Sequence, residues 1–117
     1  MNLGARRGRL RERMAAAGCE AMLITNLPDV HYLCGFSGSN AGLLVWASGE
    51  LLATDGRYVT QAAQESPGVE LLVTRRIIPA LLEAAPVGAV GFDPTAVTVA
   101  AVRSAQRGGA GRDPGTG

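Results

Sequence analysis

Leu3, Leu10, Met14 and Ala17 recur at helical intervals and form one apolar stripe, with Arg6, Arg9 and Arg13 along its flank. This spacing predicts a helix over residues 3–17, ended by Gly18, a residue suited to the left-handed position just past a helix terminus. The run Ala21-Met22-Leu23-Ile24-Thr25 is continuously apolar up to its last position and predicts a buried strand. Asn26-Leu27-Pro28-Asp29 supplies turn and helix-start chemistry, so a short helix is expected from Pro28 to Leu33. Residues 35–40 form a loop rich in glycine and hydroxyl groups. Two apolar runs, 42–47 and 51–54, flank Ser48-Gly49-Glu50 and predict a hairpin. Helical composition returns over 56–65 and stops at Ser66-Pro67-Gly68. A strand over 69–74, a helix over 77–85 with Pro79 in its first turn, and a Gly-rich strand over 87–92 follow. Residues 96–106 fit a helix, or a strand because Val97-Thr98-Val99 is β-branched.

Strands and helices thus alternate around one hairpin. That order predicts an α/β domain, a mixed β-sheet flanked by helices, over residues 1–107. From Gly108 onward the composition falls to Gly, Arg, Pro, Asp and Thr with a single Ala, and the segment 108–117 is expected to be a disordered Gly-rich tail.

Composition narrows the function more by exclusion than by indication. At 117 residues the chain has room for one core, and an apolar share of 47% suits a folded protein. All eleven basic residues are Arg, and the net charge of +1 names no partner. Five of those arginines crowd into residues 1–13, which fits the solvated side of a helix. Nucleic-acid binding through them is weakly supported, because no aromatic platform accompanies them. Cys19 and Cys34 have no CxxC spacing and read as small buried residues of a reducing compartment. No apolar h-region and no run of about 20 apolar residues is present, so a cytoplasmic protein without a membrane role is expected.

Candidate chemistry is sparse. A P-loop needs a Lys, which the chain lacks, and the glycines of residues 35–38 enter a strand rather than leave one. His31 is the only histidine and reads as a partly exposed helix residue rather than a ligand or base. A triad of Ser37 or Ser39 with His31 and Asp55 has no G-x-S-x-G elbow behind it. Asp55-Gly56-Arg57-Tyr58 is more informative, since it stands where a strand gives way to a helix. Asp55 can cap that helix. Arg57 gains nothing from the dipole there, so a carboxylate partner is expected, either within the turn or on a substrate or neighbouring subunit.

Two segments carry a family resemblance. Residues 26–40, NLPDVHYLCGFSGSN, resemble the N-x-x-x-x-x-Y-L-x-G-F-x-G-S segment of Xaa-Pro aminopeptidases and Xaa-Pro dipeptidases. Residues 53–62, ATDGRYVTQA, resemble their T-D-x-R-Y-x-x-Q-A segment. The opening helix and the strand that follows it also match, and the likeness covers about residues 6–95. The resemblance implies the amino-terminal domain of the creatinase/prolidase type, an α/β unit with a mixed sheet. It further implies a metallopeptidase whose pita-bread catalytic domain, with two divalent metals (Mn, Co or Zn) held by two Asp, one His and two Glu, lies outside this chain. This chain is then expected to be no enzyme on its own and to hold no cofactor.

By the same resemblance the domain builds a dimer interface and part of the active-site entrance, for proline-containing peptides. Phe36, Ser39, Asn40, Arg57 and Tyr58 are its candidate substrate or partner contacts, and Tyr32, Gly35, Gly38, Asp55 and Gly56 its structural positions. The composition break near residue 107 reads as a truncation or an out-of-frame stretch, and a missing last strand predicts an exposed sheet edge and self-association. A freestanding module that pairs with a full-length peptidase is the alternative expectation.

Overall fold

A computed structural model describes residues 2–86 and 90–92. Helix α1 (Leu3–Ala16) leads into β1 (Ala21–Ile24), α2 (Leu27–Cys34), the hairpin β2 (Ala41–Trp46) and β3 (Gly49–Thr54), a 3-10 turn (Gly56–Tyr58), α3 (Val59–Glu65), β4 (Glu70–Val73), α4 (Ile77–Ala84) and β5 (Val90–Phe92). The five strands form one sheet in the order β4-β3-β2-β1-β5. Its centre is antiparallel, while β4 and β5 join in parallel at either side, so the sheet is mixed as the alternation predicts.

Local chemistry explains most boundaries. Asn2 caps α1 by accepting the Ala5 N–H at 2.9 Å, and Asn26 caps α2 by accepting that of Asp29 at 3.2 Å. α1 closes through Gly18 at φ 71°, with Cys19 N–H donating to Met14 O at 2.8 Å and Gly18 N–H to Ala15 O at 3.1 Å. The Ala17 expected on the apolar stripe is instead the exposed cap, and Leu10 and Met14 alone are buried. The segment 56–65 is not one helix: Asp55 accepts the Arg57 N–H at 2.9 Å and tightens the first turn to 3-10. Strand β5 begins at Val90; residues 87–89 of the expected strand, the element expected over 96–106 and the tail lie outside the described residues.

The pleat divides the core. Met22, Ile24, Leu43, Val45 and Leu52 face α1, α2 and α3, with Val30, Leu33 and Phe36 from the covering layer. Ala21, Leu23, Leu44 and Ala53 face the other way, where Leu81 of α4 joins them. α4 lies close because residue 42 is glycine: a Cβ there would come within 2.8 Å of Ile77 Cγ2. Burying each large aliphatic contributes about 1.5–3 kcal/mol. Among the described residues no helix is long and apolar enough to cross a membrane.

Two arginines fasten α1 to the hairpin. Arg11 donates to Trp46 O at 2.6 Å, Gly49 O at 2.7 Å and the Glu50 carboxylate at 2.6 Å. Arg7 donates to Leu33 O at 2.8 Å and pairs with the same Glu50 oxygen at 3.3 Å.

Candidate functional site

The segment entering β2 and those leaving β3 and β4 meet at one end of the sheet, at the carboxyl ends of the parallel pair. This is where open α/β sheets commonly present their binding residues. Asp55 sits there, buried, at the centre of a small polar ring. Its two oxygens accept from Arg57 Nε and Nη2, each at 2.9 Å, and from Asn40 Nδ2 at 2.8 Å. Thr54 Oγ1 donates to Asn40 O at 2.5 Å and holds the loop against the strand. Hydrogen bonds from Arg57 first, then from Asn40, hold the Asp55 carboxyl well below the usual carboxylate range. The same pairing raises the Arg57 guanidinium above its ordinary value.

The Arg57 side chain is 70% exposed although one edge of its fork is spent on Asp55. Its Nη1 makes no hydrogen bond within the described residues. The guanidinium lies 5.1 Å from the centre of the Tyr58 ring, so its plane is fixed on two sides. Tyr58 shares a 2.6 Å hydrogen bond with Ser39, which draws the phenol below its ordinary pKa. An open depression beside this ring is lined by Asn40, Asp55, Gly56, Arg57 and Arg75. Its chemistry suits a carboxylate or another oxyanion, which a partly free guanidinium receives well.

The sequence expectations for this end of the sheet divide by depth. Ser39, Asn40, Arg57 and Tyr58 come together, and the carboxylate expected for Arg57 is the internal one, Asp55. Phe36 does not lie on the surface: its ring is 1% exposed and meets Tyr58 edge-on at 5.7 Å, so it supports the site from beneath. Gly35 caps α2 at φ 86°, where a Cβ would also stand 2.8 Å from Glu65 O. Gly38 has no positive φ; it is small because the Phe36 ring would lie 2.3 Å from a Cβ there. Gly56 is exposed with open space about it. Tyr32 is exposed too, with the Arg6 guanidinium stacked 4.1 Å from its ring centre.

Three contributors were not foreseen. Glu65 on α3 accepts from the Ser37 backbone N–H at 2.8 Å and from its hydroxyl, which lowers the Glu65 pKa and ties the loop to α3. Gln61, one turn earlier, donates to both Ser37 and Glu65, a helical spacing that a sequence does display. Arg75 enters the depression from the end of β4, and no motif marks it.

Elsewhere, His31 is an exposed position of α2. Cys19 and Cys34 are free and buried, and burial pushes the Cys34 thiol above its ordinary value. Among the described residues no three His, Cys, Asp or Glu side chains converge, so the two divalent metals implied by resemblance do not fit onto them.

Comparison with known proteins agrees with this fold. Residues 6–113 match the creatinase/prolidase N-terminal domain, further along the chain than the motifs alone reach. The crystal structure of the N-terminal domain of cytoplasmic peptidase PepQ from Mycobacterium tuberculosis H37Rv is similar at TM-score 0.76 and 45% identity, covering 90% of this chain and 84% of that one. An Xaa-Pro aminopeptidase structure from Streptococcus pyogenes is similar at TM-score 0.74 and 33% identity, covering 93% and 86%. The uncharacterized peptidase YqhT of Bacillus subtilis (strain 168) is 42% identical over 66 residues, 55% of this chain. That match spans only 18% of the YqhT sequence, so the chain corresponds to a small part of its curated relative.

Proposed function

Because the chain belongs to the creatinase/prolidase N-terminal domain family, we propose that it serves as the non-catalytic amino-terminal part of a cytoplasmic, proline-specific (Xaa-Pro) metallopeptidase. In this reading its partners are a pita-bread catalytic domain and a second copy in a dimer. The two divalent metals would belong to that catalytic domain, where they would supply Lewis-acid activation for hydrolysis of the bond before proline. This domain contributes the wall of the entrance through which proline-containing peptides pass.

One observation carries the reading: Arg57 is locked in direction by Asp55 and Tyr58, yet keeps part of its guanidinium facing solvent. A guanidinium held in advance loses little entropy on receiving a carboxylate, whether of a peptide or of a neighbouring domain. Asn40 and Arg75 broaden the same surface.

The test is a peptidase assay on Ala-Pro and Gly-Pro-type substrates with added Mn²⁺. It is run on this chain alone, on the candidate catalytic domain alone, and on the two mixed. Activity that rises only in the mixture, and falls again with Arg57→Ala, is the expected result. Activity of this chain by itself overturns the reading. A catalytic domain that neither binds this chain nor changes its KM in its presence points instead to a freestanding module.

A further inference from the structure

The arginines of α1 divide into two sets. Arg7 and Arg11 point toward the hairpin and share Glu50. Arg6, Arg9 and Arg13, at spacings of three and four on the same helix, have no ion pair among the described residues. Like charges one turn apart repel, and here they border a cleft of about 160 Å³ between α1 and α2. Leu10 and Leu33 form its apolar floor, and Tyr32 and Asp29 its far wall. Arg6 is not free to leave: it donates to Tyr32 O at 2.9 Å and stacks on the Tyr32 ring. Arg9 and Arg13 make no hydrogen bond among the described residues, so their full donor sets stand at the cleft mouth.

The geometry points to a docking site for an acidic segment of a partner polypeptide, whose carboxylates are received by Arg9 and Arg13 while an apolar side chain enters the cleft. Charge complementarity selects the class of partner, since two unneutralised guanidinium groups meet at one opening. The apolar floor selects a polypeptide over a bare polyanion. A polyphosphate has nothing to place on Leu10 and Leu33. The cleft is a different surface from the Asp55 ring, and its role does not depend on the peptidase reading.

The experiment uses the 117-residue chain and a fluorescein-labelled peptide with two Glu residues four apart flanking a Leu. Fluorescence anisotropy is measured against the same peptide with Lys in place of Glu, and against a labelled single-stranded oligothymidine. Binding of the Glu peptide, weakened by salt and by about tenfold or more in the Arg9→Glu/Arg13→Glu double variant, is expected. The Arg9→Lys/Arg13→Lys variant should recover part of the affinity, because charge survives and the planar fork does not. Circular dichroism should show both variants folded, with melting shifted only by the small changes in charge along α1, since neither side chain bonds within the fold. Equal affinity for the Glu and Lys peptides, tighter binding of the oligothymidine, or an undiminished affinity in the charge-reversed variant each overturns the proposal.

Discussion

Two arginine–carboxylate groups in this domain use the same chemistry for different ends. The Glu50 group joins residues 39 positions apart, and its side chains are 14–24% exposed. The Asp55 group joins residues two positions apart and leaves Arg57 70% exposed. Removing a partner from the first strands charge in a poorly hydrated place between a helix and a hairpin. Removing Arg57 from the second leaves a carboxylate that still has Asn40 and a backbone N–H. Exposure and separation along the chain, rather than the residue types, decide whether an ion pair fastens a fold or arranges a surface.

Several measurements would sharpen that contrast. Glu50→Ala should have the largest effect, since it removes the carboxylate that Arg7 and Arg11 share and leaves both held by main-chain carbonyls alone. A loss of about 2 kcal/mol is expected from charged hydrogen bonds of this kind, read as a melting temperature lower by roughly 10 °C. A drop of only a degree or two would place the fastening elsewhere. Gly38→Ala comes next, because the Phe36 ring behind it is fully buried and cannot swing aside. About 1–2 kcal/mol of overpacking is expected, along with a changed near-ultraviolet signal from Tyr58.

Acid should act mainly on the site end of the sheet. Asp55 and Glu65 both titrate below their ordinary values in the fold. Their contribution is therefore whole above the ordinary carboxylate pKa and is lost as pH falls through their folded values. Melting temperature should decline steeply below about pH 4, and Asp55→Asn should flatten that decline while lowering the plateau. An unchanged acid slope in the variant would dismiss Asp55 as its source. Arg57→Ala should be the mildest, shifting the melting temperature little. Its mark is an upward move of the Asp55 pKa, measured by carbon-13 NMR of the carboxyl carbon.

The sequence was most legible where structure is local. Asn2, Asn26, Gly18 and Gly35 act within a few residues of themselves, and the elements they bound fall close to expectation. The Arg57–Asp55 pair was also within reach, as both residues occupy one turn. Gly49 misled: it is not the middle of a loop but the first residue of β3, and Ala47-Ser48 makes the turn. That glycine is needed because the Trp46 indole would lie 2.9 Å from its Cβ, a cross-strand contact no local pattern reveals. The same limit hid Arg11, whose partners are all more than thirty residues distant. It also hid the burial of Phe36, which reads as a loop aromatic until α3 and Tyr58 close over it.

The parallel pairing of β1 with β5 has a consequence for how the domain is made. β1 finds β2 almost at once, through a connection shorter than twenty residues between Ile24 and Ala41. Its other neighbour begins only at Val90. On a ribosome adding about 5–20 residues per second, β1 therefore waits several seconds with one side bare after β2 has emerged. During that interval the nascent chain offers a flat apolar strand to whatever is nearby. Slowing translation between codons 46 and 90 should lengthen its exposure to chaperones, and to misassembly, without altering any contact in the finished fold.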